Sequence, residues 1–501
     1  MSSTQPVWQE IPADPAFKSA LPASADVCVV GAGIAGLSVA YSLARVGKRV
    51  VVLEAKSVGS GMTSCTTAHL ACVLDDRYSN VMRVRGEEHT RHGVDAHAAA
   101  IDLIEDAVAR ETIDCGFKRL DGYLVAARQG DSDLLDREAE AAKVLGVAAE
   151  PLASAPGFRG GRCLRFPRQA RFEPMAYLTG LARAVVRLGG TIVTGTRAES
   201  IEDGSPCKVT AGGKELTAGA VVVATNSPIN DRFAIHTKQY PYMTYAIGLR
   251  VKADQVPDAL VWDTEDPYHY VRLAGKPGAD GFDTLVVGGE DHKTGHAHDG
   301  DARFARLEAW AREHFGGLGG VTHKWAGQVL ETVDGLGFIG RNPGDTNVYV
   351  VTGDSGMGMT HGTIAGILIP ALVTHGSHPW ESVFAPGRKP AGAAAVFVSE
   401  NADVALQYAD WVRGGDVSST DEIETGCGAV VRSGLSKLAV YRDDDNKLHA
   451  CSAKCPHLGA VVHWNEAEKT WDCPAHGSRF DAKGRVMQGP ANTDLEPAKL
   501  G

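Results

Sequence analysis

An α/β domain carrying an α+β cap, with a small all-β domain behind it, is the architecture this chain predicts, and three observations predict it. Near the N-terminus a short apolar run, Asp26 to Val30, leads into Gly31, Gly33 and Gly36, then a helical pattern and a second apolar run. Near the C-terminus, Cys455 and His457 are separated from Cys473 and His476 by fifteen residues. The chain as a whole has 501 residues, 44% of them hydrophobic, and 58 glycines. That length suits two to four domains.

Residues 1–24 precede the first strand as an N-terminal extension. The strand Asp26 to Val30 passes straight into Gly31, Ala32, Gly33, Ile34, Ala35 and Gly36. A helix follows through Tyr41, Leu43 and Ala44, and a second strand from Arg49 to Leu53 ends at Glu54. This is the order of a dinucleotide-binding β-α-β unit. Glycines let the backbone approach a pyrophosphate, the helix N-terminus faces its negative charge, and an acid about 20 residues on takes the ribose hydroxyls.

After Glu54 and Ala55, the segment Gly59 to Ala68, with Ser60, Gly61, Thr63, Ser64 and Cys65, resembles the stretch beneath the flavin in the D-amino-acid oxidase, glycine oxidase and sarcosine oxidase superfamily. Ala220 to Asn226, including Ala224 and Thr225, resembles that family's strand and turn near the adenosine half. Trp325 to Gln328 and Asp334 to Gly340 resemble its penultimate block. Val348 to Thr352, then Gly353, Gly356, Met357, Gly358, Met359 and Thr360, resemble its closing strand, glycine turn and helix start at the flavin pyrimidine ring. The resemblance spans about residues 25 to 375. It implies FAD as cofactor and a Rossmann-like, glutathione-reductase-type domain over 25–380, with FAD-binding parts at 25–92, 155–232 and 325–380. The substrate cap then falls at 93–154 and 233–324. Reduced flavin is negative around N1 and the C2 carbonyl, and backbone N–H groups at Met357 to Thr360 would stabilise that charge; the same turn also serves as a plain helix cap.

Members of this superfamily usually take a hydride from the carbon next to an amine, which needs orientation more than a dedicated base. The resemblance therefore implies a small-molecule amine or amino acid as substrate. Within the cap, helical periodicity runs from Val94 to Glu111, and Tyr240 to Val251 and Tyr268 to Arg272 alternate like strands of a half-exposed sheet. Tyr242, Tyr245, Tyr268, Tyr270 and Arg272 are candidates to line the face above the flavin, with His292 and Lys293 near; Tyr245, Tyr270 and Arg272 form the catalytic set. Arg272 either holds a substrate carboxylate bidentately or is an exposed strand arginine. Cys65 and His69 either attach the flavin covalently, as this segment does in some relatives, or simply pack. His89, His92 and His97 come near the iron-ligand spacing of aromatic-ring hydroxylases. Those enzymes lack a FAD fold, so the three histidines read as a solvated helix face.

Two thiolates and two imidazoles in a C-x-H, then C-x-x-H, arrangement suit zinc or an iron–sulfur cluster. The stretches Cys455 to Gly459 and Cys473 to Ser478 resemble the ligand loops of a Rieske [2Fe-2S] domain, and imply that Cys455 and Cys473 hold one iron while His457 and His476 hold the other. Respiratory members carry a disulfide between these loops, where this chain has Ala460 and Ala475. Of the two sulfur-facing hydroxyls the resemblance implies, Ser478 is present and Phe480 replaces the other. The potential is therefore expected to be intermediate to low within the range of about −150 to +300 mV. The Ala-, Gly- and Pro-rich stretch 381–415 reads as a linker, and the Rieske domain as 416–501.

The formal charge of −11 gives no basic surface for nucleic acid or anionic lipid. No apolar run approaches transmembrane length and no signal-peptide pattern opens the chain, so a cytoplasmic location is expected. Eight of ten cysteines are then free thiols. The whole reads as a flavin dehydrogenase whose substrate electrons pass singly to the cluster and on to an external acceptor. A flavin and iron–sulfur relay or reductase without amine dehydrogenase activity is the alternative.

Overall fold

The computed structural model describes residues 4–8, 14–127, 131–230, 235–389, 391–434 and 436–500; the expected cap boundary at 233 lies outside them. Its centre is an eight-stranded sheet. The parallel core runs in the order Val348–Thr352, Lys214–Val223, Ser24–Val30, Val50–Leu53 and Thr191–Val193, with Phe338–Arg341 antiparallel at one edge. Val50 to Leu53 is buried throughout, as expected of a parallel strand covered on both faces. Val30 ends level with Leu53 on one side and Val223 on the other, which brings three strand ends to one edge. There the first helix, Ile34–Arg45, and the last helix of the domain, Gly358–His375, begin. A Cβ at Gly362 would stand 2.8 Å from Ile34 and 3.0 Å from the Ala35 nitrogen, so glycine there lets the two helices touch.

The cap is a nine-stranded sheet in the order Leu318–Thr332, Gln239–Lys252, Phe282–Lys293, His269–Leu273, Leu260–Asp263, Lys118–Val125, Cys163–Arg171 and His69–Leu70, with Glu150–Leu152 beside Cys163–Arg171. Cys163–Arg171 lies inside the expected FAD-binding part, and Leu318–Thr332 crosses the expected boundary at 325. Both join the cap sheet because each pairs over most of its length, the first with Lys118–Val125 and the second with Gln239–Lys252. The long helix Glu87–Glu111 packs its buried face, including Gly93, Ala96, His97 and Ala100, toward the domain core.

The C-terminal domain is all β, with a three-stranded sheet (Gly428–Ser433, Ser436–Arg442, Leu448–Ser452) and a four-stranded sheet (His463–Asn465, Thr470–Asp472, Arg479–Asp481, Val486–Gln488). The stretch before it contains a helix, Ala394–Gln407, that touches both domains. Asn401 donates to the Thr237 carbonyl at 2.9 Å, and Glu400 and Asp403 each meet Lys293 at 2.8 Å. Just beyond it, Tyr408 and Trp411 each donate at 2.9 Å to the carbonyls of Leu458 and Gly459. All ten cysteines are unbridged.

Candidate active site

A cavity of about 1050 Å³ opens at the strand ends and extends under the cap. Its first wall is the glycine turn. Gly31 sits at φ +108°, and a Cβ there would stand 2.4 Å from the Ala224 carbonyl oxygen; a Cβ on Gly36 would come within 1.9 Å of the Gly31 carbonyl oxygen. Only glycine keeps the backbone low enough to leave room for a pyrophosphate. Glu54 accepts from the Ala32 N–H at 2.9 Å and the Lys56 N–H at 2.8 Å, and its spare lone pairs suit ribose hydroxyls. Gly33, Ile34, Ala35, Ala55, Ser60, Gly61, Thr63, Cys65, Ala224 and Thr225 line the same wall, and Gly356, Met357, Gly358, Met359 and Thr360 line the opposite one. Ser64 and Gly353 stand behind the lining: the Ser64 hydroxyl donates to the Gly61 carbonyl at 2.9 Å, and Gly353 turns the chain at φ +67°. Gly turns, a helix N-terminus and a correctly placed acid around a long cavity fit FAD.

Of the residues expected above the flavin, Tyr242, Tyr268 and Tyr270 line the cavity. Tyr245 does not: its ring packs on Phe304 with centroids 5.2 Å apart, and its hydroxyl bonds His292 at 3.0 Å on the other face of the strand. Arg272 is neither in the cavity nor on the surface. It is wholly buried, donates to the Phe172 carbonyl at 2.9 Å and lies 4.9 Å from the Trp8 ring centroid, and burial lowers its pKa to about 9. Neither expected role for Arg272 fits that position. His97 also leaves the expected solvated face. It is 3% exposed, with Nδ1 at 2.8 Å from Thr360 Oγ1, so it props the turn at the flavin end. Cys65 and His69 both line the cavity; burial pushes the Cys65 thiol up and the His69 imidazole down to about 3, which disfavours the thiolate a thioether link would need.

Sequence reasoning missed the acidic side of the cavity. Asp75, Asp76, Asp291, Glu331 and Asp354 all line it. Burial and mutual repulsion raise the pKa of Asp75, Asp76 and Glu331, and burial takes Asp291 to about 7 and Asp354 to about 6. The adjacent pair Asp75 and Asp76 was the one local signal for them.

The four cysteine and histidine residues come together at the tips of two matching loops. Gly459 N–H returns to the Cys455 carbonyl at 2.9 Å and Gly477 N–H to the Cys473 carbonyl at 3.0 Å. The two thiols are buried against each other, and the rings of His457 and His476 lie 5.0 Å apart. His476 Nδ1 is buried without a hydrogen-bond partner, the state of a nitrogen that serves a metal. Ser478 sits within hydrogen-bond reach of the Cys455 sulfur and accepts from the Ala491 N–H at 3.0 Å. Phe480 is fully buried beneath the loops. Paired thiols on one side and paired imidazoles on the other fit a [2Fe-2S] cluster held Cys₂His₂.

Comparison with known proteins agrees with this geometry. The family model described as FAD dependent oxidoreductase (DAO) matches residues 26–372. The chain belongs to the FAD-dependent oxidoreductase family. A second family model, the Rieske [2Fe-2S] domain, matches residues 414–499, so this oxidoreductase carries both cofactors, FAD and the cluster. It is 31% identical over 498 residues to the Rieske 2Fe-2S iron-sulfur protein YhfW of Bacillus subtilis (strain 168), covering 98% of this chain and 96% of that one. It is 27% identical to the gamma-glutamylputrescine oxidoreductase of Escherichia coli (strain K12) over 70% of this chain and 83% of that protein. Its fold matches that of the glycine oxidase from Geobacillus kaustophilus with a TM-score of 0.60 at 19% identity, over 74% of this chain and all of the other.

In this FAD-dependent oxidoreductase the Rieske domain closes one end of the flavin cavity. Glu468, Arg479, Met487, Gln488 and Gly489 are part of its lining. Gln328, on the cap strand Leu318–Thr332, is the hinge pin of the contact. Its Nε2 donates to the Gly477 carbonyl at 2.9 Å and to Thr294 Oγ1 at 3.1 Å, and its Oε1 accepts from Gln488 at 2.5 Å. Gly477 follows the ligand His476 directly. His236 of the FAD domain sets its ring 5.1 Å from that of His457 and 6.4 Å from that of His476. Among the described residues, no helix is long and apolar enough to cross a membrane.

Proposed function

We propose that the protein is a cytoplasmic dehydrogenase that oxidises a small amine or amino acid at the carbon bearing nitrogen and passes the electrons, one at a time, to an external acceptor. When bound, FAD supplies a two-electron hydride acceptor and the cluster a one-electron carrier. The chain's own residues do the rest. Tyr242, Tyr268 and Tyr270 give an aromatic face in the cavity that also holds the turn at Gly356 to Thr360. Thr360, held by His97, and the N-terminus of Gly358–His375 offer dipole stabilisation to negative charge at that end. The C–H bond next to nitrogen breaks with its electron pair, the nitrogen gives up a proton to water, and the imine product hydrolyses.

The observation that carries the reading is the short bonded span between the two cofactor sites, from the cavity wall at Gln328 through Gly477 to the ligand His476. Anaerobic mixing with a panel of amines and amino acids tests it, following flavin absorbance near 450 nm and the cluster's EPR signal together. Bleaching followed by growth of the cluster signal supports the reading. If no compound bleaches the flavin while dithionite reduces both centres, the relay alternative takes its place.

A further inference from the structure

The cavity end under the cap holds more carboxyl groups than its neighbouring cations pair with. Asp75 accepts from the Tyr268 hydroxyl at 3.2 Å and lies beside the glycine turn, since a Cβ on Gly356 would stand 2.3 Å from its Oδ2. Glu331 accepts from Ser355 at 3.0 Å, and Asp354 accepts from the Leu330 N–H at 3.1 Å. Asp291 Oδ1 is wholly buried and has no hydrogen-bond partner, although Asp291 faces the cavity. Among the described residues the lysines and arginines of the lining are Lys56, Arg77, Arg137, Arg197 and Arg479, and of these Arg77 is the one beside Asp75 and Asp76. The arginine best suited by type to a carboxylate, Arg272, is walled off behind Trp8. Burying carboxylates without full countercharge is costly, which raises their pKa values, and a bound cation would favour their ionised forms. Four tyrosines, Tyr240, Tyr242, Tyr268 and Tyr270, complete the lining; their ring faces attract cations.

We infer that the substrate is an amine with at least two ammonium groups and no carboxylate on the reacting carbon: one amine is oxidised over the turn at Gly356, and a second cation is held by Asp75, Asp76, Asp291 and Glu331. This rests on the amine-dehydrogenase reading and narrows it. The reaction balances as before: the reacting carbon loses a hydride to FAD, its nitrogen loses a proton to water, and the remote ammonium is unchanged. The groups facing Asp75 are Asp76, Asp291, Glu331, Tyr268 and Arg77, and those facing Asp291 are Thr244, Arg303, His269 and Glu290. A dication restores their charge, so binding releases protons. The apparent affinity then strengthens as pH rises through about 7, where Asp291 titrates in the free protein.

The test uses the holoprotein, anaerobically, with matched compounds: putrescine, spermidine, n-butylamine, ornithine and glycine. Flavin bleaching by putrescine or spermidine with a second-order constant at least about tenfold above those of n-butylamine and ornithine supports the inference. D75N and D291N should each weaken putrescine binding about tenfold, the size of one lost charge-assisted contact, while flavin absorbance and the dithionite-reduced EPR signal stay as in the parent. Oxidation of ornithine or glycine in preference to putrescine overturns the inference and leaves the amine-dehydrogenase reading standing. No bleaching by any amine or amino acid overturns both. Unchanged putrescine binding in both variants overturns the assignment of these carboxylates.

Discussion

Replacing Gln328 by leucine keeps the side-chain volume and removes all three of its hydrogen bonds. Gln328 is 3% exposed, so Thr294 Oγ1, the Gly477 carbonyl and the Gln488 amide lose their partner where water reaches them poorly. Two of these bonds, to Gly477 and from Gln488, cross to the Rieske domain; with a net worth of about 1 kcal/mol per bond, the docked arrangement loses about 2 kcal/mol, or a factor of about 30 in the docking equilibrium. Neither Gly477 nor Gln328 is a cofactor ligand, so FAD content and the EPR spectrum of the chemically reduced cluster should be retained. What should change is the passage of electrons from reduced flavin to cluster, followed by rapid-freeze EPR after anaerobic reduction. Amide hydrogen exchange around 294–298 and 474–478 should rise in parallel. Q328L with parent-like exchange and parent-like transfer would refute the view that Gln328 pins the two domains together.

Other outcomes follow from the same geometry. G31A should purify without FAD, read as loss of the flavin spectrum, because its Cβ would stand 2.4 Å from the Ala224 carbonyl oxygen. C455A should lose the cluster EPR signal and acceptor-linked turnover while keeping flavin absorbance and its bleaching by substrate. In redox titrations S478A should lower the cluster potential and F480Y should raise it, since hydrogen bonds to cluster sulfur stabilise the reduced state. Asp334, buried between Arg85 at 2.8 Å and Arg388 at 2.7 Å, has its pKa held below the usual carboxylate value by those guanidiniums. Its contribution is present above the unfolded value near pH 4 and lost as pH falls through the depressed one. D334N should cost about 3 kcal/mol or more, leaving two buried arginines unpaired, and should lower the denaturant midpoint at neutral pH.

Legibility in the sequence tracked how local each feature is. The glycine turn with Glu54 and the two cysteine and histidine loops are written within short windows, because phosphate and cluster geometry fix residue types at fixed offsets. The cap was harder. Alternation alone puts Tyr240, Tyr242 and Thr244 on one face and Tyr245 on the other, so Tyr242 and Tyr245 cannot both face the flavin. Arg272 shares parity with Tyr268 and Tyr270, yet by residue 272 the strand has run past the cavity to Phe172 and Trp8, which no periodicity reveals. His97 sits on a helix whose polar sequence suggested solvent, but its partner Thr360 is 263 residues away. The acidic side of the cavity draws on four separate segments, and the Gln328 to Gly477 bond spans 149 residues. Such contacts exist only once the sheets are assembled.

The shared lining at Glu468, Arg479 and Gln488 has a practical consequence. A flavoprotein fragment ending near residue 380 would not be a smaller version of the same enzyme, since one side of its reaction chamber would be missing and open to water and oxygen. A cluster domain expressed alone would likewise expose the histidine edge that His236 now faces. The two halves close one chamber, with the cluster ligands just behind the wall that Gln328 and Gly477 join. Exchange of either half between relatives should therefore succeed only when the contacts around Gln328 travel with it.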